Sequence, residues 1–328
     1  MVTFKQIARS YVADVRAHER NKKRQTKEYA RLYKEQQKQN EIENATDIIN
    51  RHQAYIDVLT TIHKNCSDKI DWQKVIEDEE PSIAEKNDLN EHEAKQKLND
   101  FKPSFFDKIF GNKKKINALQ EAITNAKIQD KKDFEIAKEN YTDWQNIQTI
   151  AQNILLKNTQ SYADALNYFD PFSDISELGS NVQISFEKDY VEIELFVNNA
   201  EVIPDFILSL LKTGKLSRKE MPKGKFNELY QDYVCGAVLR VSREALAYLP
   251  IKMVVIHAIS KMVNTATGHL EDFPIVSAII PSETINNLNF ETLDPSDSMK
   301  NFLHYMKFSK TNGFSHVEKL NLNDLKIK

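Results

Sequence analysis

Arg240 and Glu244 stand one helical turn apart in the run 226–248. At about 100° per residue, Glu244 falls in line with Phe226 on that run's apolar stripe, and Arg240 lies near its edge. Charged groups turned toward a core must pair, because burying a lone charge is very costly. A carboxylate and a guanidinium at a cleft could clamp an anion or move a proton. With Asp232 and His257 added, the set is that of a hydrolase, of nuclease type in particular. The same two residues also make a structural ion pair tying a helix to a loop, and that reading carries more weight because it needs nothing further.

The remaining chemistry is sparser. His257, His269, His304 and His316 are half of the chain's eight histidines. No pair has the i, i+4 spacing of a helical zinc motif and none sits in a Cys-x-x-Cys frame; His63 and Cys66 offer only one weak pair. No metal and no cofactor is expected. Lys215, Arg218, Lys219, Lys223 and Lys225 form a basic loop, with Lys307 and Lys310 as candidate additions. Arg20, Lys22, Lys23 and Arg24 form a basic stretch of helix. Both could lie on phosphates or on an acidic partner. Glu19, Glu28 and Glu35 dilute the second patch, which favours a solvated helix face. No glycine stands five residues before Gly214-Lys215 or Gly224-Lys225, so there is no P-loop, and no GxSxG or GxGxxG occurs. Glu187, Glu192 and Glu194 lack the spacing of a PD…ExK nuclease.

The 328 residues leave room for two domains, and a net charge of −3 sets up no global field toward nucleic acid or membrane. Two distant cysteines give no disulfide framework and fit a reducing cytosol. The N-terminus lacks an apolar signal region, and no run reaches the roughly 18 apolar residues of a spanning helix. A cytoplasmic protein without a transmembrane segment is expected. Of seven glycines only Gly111 precedes residue 178, which makes the first half helical in character. The expected division is a long-helix, coiled-coil-like region at 1–170, with a polar acidic insert at about 68–100, and an α+β domain at 178–328.

Within the first region one or two long helices are expected over 1–65 and another over 116–157. The second carries a stripe from Leu119 to Leu155 that calls for a partner, and the helix at 42–65 is the obvious one. A weakly anchored helix is expected at about 82–101. Phe105, Phe106 and Phe110 beside Lys113, Lys114 and Lys115 read as a turn tucking its rings inward rather than as a membrane anchor. The second region opens with a hairpin, 182–186 and 191–197, followed by a helix from about Pro204 to Gly214. Then come the helix at 226–248, stopped by Pro250, and an antiparallel hairpin of the apolar runs 253–259 and 273–280, joined at 264–268. A helix from Asp294 through Met299, Phe302, Leu303 and Met306, a turn at 307–314 and an edge strand at 317–320 close the chain. The leading expectation is a non-enzymatic interaction protein whose helical arm and α+β domain bind a protein partner or nucleic acid, with self-association through the helices as a further possibility. The alternative is the hydrolase at Arg240 and Glu244.

Overall fold

A computed structural model describes residues 4–81, 87–103, 112–173, 175 and 180–322, with the side chains of 4–30 outside the description. The rings at 105, 106 and 110 lie outside the described residues. Helix α1 runs unbroken over Phe4–Thr61, a length of about 87 Å at 1.5 Å per residue. Helices α2 (Trp72–Glu77), α3 (Leu89–Asn99), α4 (Lys113–Leu155) and α5 (Thr159–Phe169) follow. Then come β1 (Asn181–Phe186), β2 (Tyr190–Phe196), the hairpin β3 (Phe206–Leu210) and β4 (Leu216–Glu220), and helix α6 (Lys223–Tyr248). The chain closes with β5 (Met253–Val263), β6 (Leu270–Pro281), short helices α7 (Ser282–Asn286) and α8 (Pro295–Ser298), β7 (Leu303–Ser309) and β8 (Gly313–Ser315). The fold is α+β, as its pattern of alternating and helical periods implies.

Six strands form one sheet in the order β1-β2-β5-β6-β7-β8. Every neighbouring pair is antiparallel except β2 and β5, which run parallel. A parallel pair needs a crossover, and here it consists of the β3–β4 hairpin and α6. Val191, Ile193 and Leu195 of β2, Val254, Ile256 and Ala258 of β5, and Val276, Ala278 and Ile280 of β6 share one core with Val234, Ala237, Val238 and Val241 of α6. The same core takes in Leu59 of α1, Trp72 of α2, Ile154 of α4 and Tyr162 of α5. The ends of the long helices are thus docked on the sheet domain.

Four local expectations change. Residues 206–210 are a strand rather than a helix. A short apolar run does not distinguish the two, and Gly214, at φ +85°, closes a tight turn that lays Leu210 opposite Leu216. The helix begun at Asp294, whose carboxylate accepts the Asp297 N–H at 2.9 Å, stops at Ser298. Residues 303–309 instead form a strand whose first part, 303–306, pairs with the open edge of β6, while 307–309 pair with β8 and absorb part of the expected 307–314 turn. Residues 317–320 form no regular element and join no ladder among the described residues.

The fourth change concerns α4. It packs against α2 and α3, whereas α1 lies on α6 and on the β3–β4 hairpin. The acidic insert runs antiparallel down α4. Gln148 donates to the Val75 carbonyl at 2.6 Å, Tyr141 to Glu80 at 2.8 Å, and Asp130 accepts the N–H groups of Asn90 and Glu91 at 3.0 and 2.9 Å. Asp130 therefore satisfies the orphan donors at the start of α3. A segment with few aliphatics outcompetes the apolar stripe of α1 because it follows α4's partner surface with caps and polar pairs.

Candidate functional site

Helix α6 is buried on nearly every side, from Tyr233 to Ser242 without a break. One side meets the sheet, and the other is covered by the end of α1 and the loop that follows it. The second cover explains the charged pair. Arg240 Nη2 lies 3.0 Å from Glu244 Oε1, with side chains 9% and 0% exposed. The Ser67 N–H donates to the same oxygen at 3.1 Å, while Glu244 Oε2 is buried with no partner within hydrogen-bond distance among the described residues. Arg243 donates to the carbonyls of His63 and Lys64 at 2.7 and 3.3 Å, satisfying acceptors at the end of α1, and its guanidinium stacks on Phe290 at 3.8 Å. Ile70 N–H to the Ala247 carbonyl and Trp72 Nε1–H to the Tyr248 carbonyl, both 2.9 Å, continue the lacing. A Cβ on Gly236 would stand 3.0 Å from Ile62, so the absent side chain lets α1 approach.

Burial pushes the Cys66 thiol up to about 11, so it stays protonated and is a poor nucleophile. His63, 1% exposed, is held below the usual histidine range, first by burial and then by Lys64 and Arg243. No thiolate–imidazolium couple can form there. Asp232 lies two turns before Arg240 and faces Asp294, Ser296 and Asp297 at the start of α8. Burial, then Asp294, raises its carboxyl to about 6. The space between Asp232 and Arg240 is closed by Ile62, His63 and Pro295 around Gly236.

His257 is elsewhere. It sits on β5 with its side chain on the sheet face opposite α6, because it alternates with the core residues Ile256 and Ala258. Its Nδ1 lies 2.8 Å from Ser277 Oγ and its Nε2 3.1 Å from Glu192 Oε1. Arg240 and Glu244 thus form a pair, Asp232 shares their helix without joining them, and His257 is behind the sheet. The chain Ser277–His257–Glu192 was not singled out by sequence reasoning, although strand alternation would have placed Glu192, Glu194 and His257 on one face. It has the side-chain types of a nucleophile–base–acid array. However, Ser277 is fully buried and its Oγ accepts the Leu320 N–H at 2.9 Å, which leaves no approach for a substrate.

The basic residues are distributed. Lys215, Lys219, Lys223, Lys225 and Lys307 are exposed. Arg218 lies 3.5 Å from Asp205 and stacks on Phe206 at 3.8 Å, and Lys310 pairs with Glu228. Arg20, Lys22, Lys23 and Arg24 are on α1, with side chains outside the description. Asp88, Glu91 and Asp130 place carboxylate oxygens within 4.8 Å of one another, but the α3 N-terminus already takes up the Asp130 charge. A cleft of about 310 Å³ opens at the carboxyl ends of β2 and β5, between Asn198, Lys261 and Asp272. Beneath it Tyr230 donates to the Asn198 carbonyl at 2.8 Å, and burial raises its hydroxyl to about 12.

The fold and these sites define an α+β body carrying long helices. No described helix is long and apolar enough to cross a membrane. No family model, curated protein or solved structure matches the chain.

The buried titrating groups set a pH dependence. His63 and His257 both have pKa values lowered chiefly by burial. The unfolded chain therefore binds protons near pH 6.5 before the fold does, and stability falls as pH drops through that region. Asp232, raised to about 6, has the opposite sign: the fold takes up its proton below pH 6, before the unfolded chain does near 4. Thermal melts are expected to show a falling midpoint from pH 7.5 to 6, then a flatter slope. Asp232→Asn should raise the midpoint at pH 7 and steepen the loss below 6. A flat profile in the wild type would contradict this assignment.

Proposed function

We propose that the chain is a non-enzymatic interaction protein that presents the outer part of α1 to a protein partner. The observation that carries this reading is that residues 31–41 are all exposed, including Leu32 at 50% and Tyr33 at 63%, although they continue a helix anchored at its other end. A helix exposed all round draws on its own i, i+4 pairs, here Arg31–Glu35 at 3.5 Å and Gln39–Glu43 at 3.0 Å. From Ile42 inward it is braced. The Gly214 turn packs on Ile42, His52 stacks on Phe206 at 4.9 Å, and Tyr55 donates to the Val202 carbonyl at 2.9 Å. The clamp of Arg243 and Glu244 then fixes the end. A stiff arm on a buttressed base holds a partner at a set distance from the body. Against the hydrolase alternative, Arg240 and Glu244 are sealed beneath the 62–72 segment.

The test compares the full chain with one lacking residues 4–38, using cross-linking and mass spectrometry in native extract. Cross-links from the arm to a protein partner are expected, with loss of that partner and an unchanged melting temperature on deletion. A partner retained by the shortened chain overturns the reading. A salt-dependent gel shift that needs the arm would replace the protein with nucleic acid. Gly214→Ala tests the brace. A Cβ there would meet Ile42 at 2.5 Å from a strained backbone, and faster amide exchange over 42–52 is expected.

A further inference from the structure

The outer face of the sheet, opposite α6, is crossed by the chain's own residues 316–322. Val317 N–H donates to the Pro274 carbonyl at 2.8 Å and Leu320 N–H to Ser277 Oγ at 2.9 Å. The Lys319 ammonium rests on Glu194. Leu320, 2% exposed, fills a hollow of Val255 and Ile279 with Tyr190, Met253 and Leu303 around it. The segment joins no ladder among the described residues, so side chains and two main-chain N–H groups account for these contacts.

The receiving groups are arranged by the sheet itself. Glu194, His257 and Ser277 occupy one row across β2, β5 and β6 in register. With neutral His257 carrying its proton on Nε2 toward Glu192, its Nδ1 accepts the Ser277 O–H. The Ser277 lone pairs are then left to receive an N–H from above. An acceptor for a backbone N–H, a carboxylate for a cation and an aliphatic hollow, side by side, are the parts of a peptide-recognition surface, with main-chain bonds holding the segment and pockets selecting it.

We propose that this face is a peptide-binding groove, filled in cis by residues 316–322, and that it takes from a partner protein a short extended segment in which a lysine or arginine precedes an aliphatic residue. The proposal stands independently of the helical arm. Because the segment follows β8 directly, its effective concentration over the groove is on the order of millimolar, and a partner must compete with it.

The probe is a fluorescent peptide reproducing residues 314–322, titrated against the full-length protein by anisotropy. Lys319→Glu sets like charges against Glu194, and Leu320→Asp empties the hollow. Each variant should bind the peptide at least about tenfold tighter than wild type, since the tethered competitor is weakened. Adding Glu194→Lys to Lys319→Glu restores the tethered pair in reverse and sets a lysine against the peptide's own, so the peptide should bind this protein more weakly than wild type. A peptide with aspartate at the Leu320 position should not bind. Equal affinity for wild type and variants, absence of binding to all of them, or loss of the folded state in both single variants would overturn the proposal; unfolding would make the segment part of the core.

Discussion

Glu244→Ala is expected to cost about 3–5 kcal/mol of unfolding free energy, because it breaks a buried pair from one side. The Arg240 guanidinium, 9% exposed, keeps its charge and loses the carboxylate 3.0 Å away, while Ser67 N–H loses its acceptor. The effect should be larger than for Glu244→Gln, which retains an oxygen for Ser67. Replacing both partners by apolar residues of similar volume should recover much of the loss, since a buried pair gains little over good packing. Urea denaturation of the three variants and the wild type measures each term. A cost below about 1 kcal/mol for Glu244→Ala would mean that the 62–72 segment does not seal the pair. Amide exchange gives a second readout: the end of α1 should open sooner, because the Ser67 contact holds its loop on α6.

Trp72→Ala is expected to cost about 3–5 kcal/mol, the range for truncating a buried aromatic ring. Trp72 is 4% exposed, packs edge-on to Phe169 at 6.1 Å and donates Nε1–H to the Tyr248 carbonyl at 2.9 Å. It therefore joins α2 to both α5 and the end of α6. The loss should be visible in the whole chain's unfolding and as exchange concentrated in α2 and α3, because α2 docks on the core through this ring with Val75 and Ile76 beside it, and α3 continues the same insert along α4. A change below about 1 kcal/mol, or exchange confined to residues 71–78, would show that the insert is a separate appendage rather than part of the common core.

Both effects occur where the sequence was least explicit. Trp72 lies in a stretch whose acidic composition suggested a loosely docked insert, and nothing in its neighbours announced that α4 would choose that stretch as partner. The partner choice depends on Asp130 capping α3 and on Gln148 reaching Val75, contacts between residues 40 and 73 positions apart. Arg240 and Glu244 were legible as a pair from spacing alone. Their role was not, because the pattern of α6 shows one apolar stripe and cannot show that a loop from residues 62–72 covers the other side.

Local periodicity determined a good deal. The alternation of Val182 to Phe186 and Val191 to Leu195, the β-branched runs 253–259 and 273–280, and the turn residues at 264–268 specified two hairpins, because strand faces are set two residues at a time. Pro250 and the unbroken stripe before it marked α6, and the scarcity of glycine marked the helical half. The tertiary structure decided what short apolar segments become. Residues 206–210 and 303–309 suited either period, and each took the strand form because a turn glycine in one case and the free edge of β6 in the other supplied hydrogen-bond partners. It also decided which side chains meet. His257 was conspicuous from the first, but only the register of β2, β5 and β6 sets it between Glu192 and Ser277, and only the path of residues 316–322 closes that face.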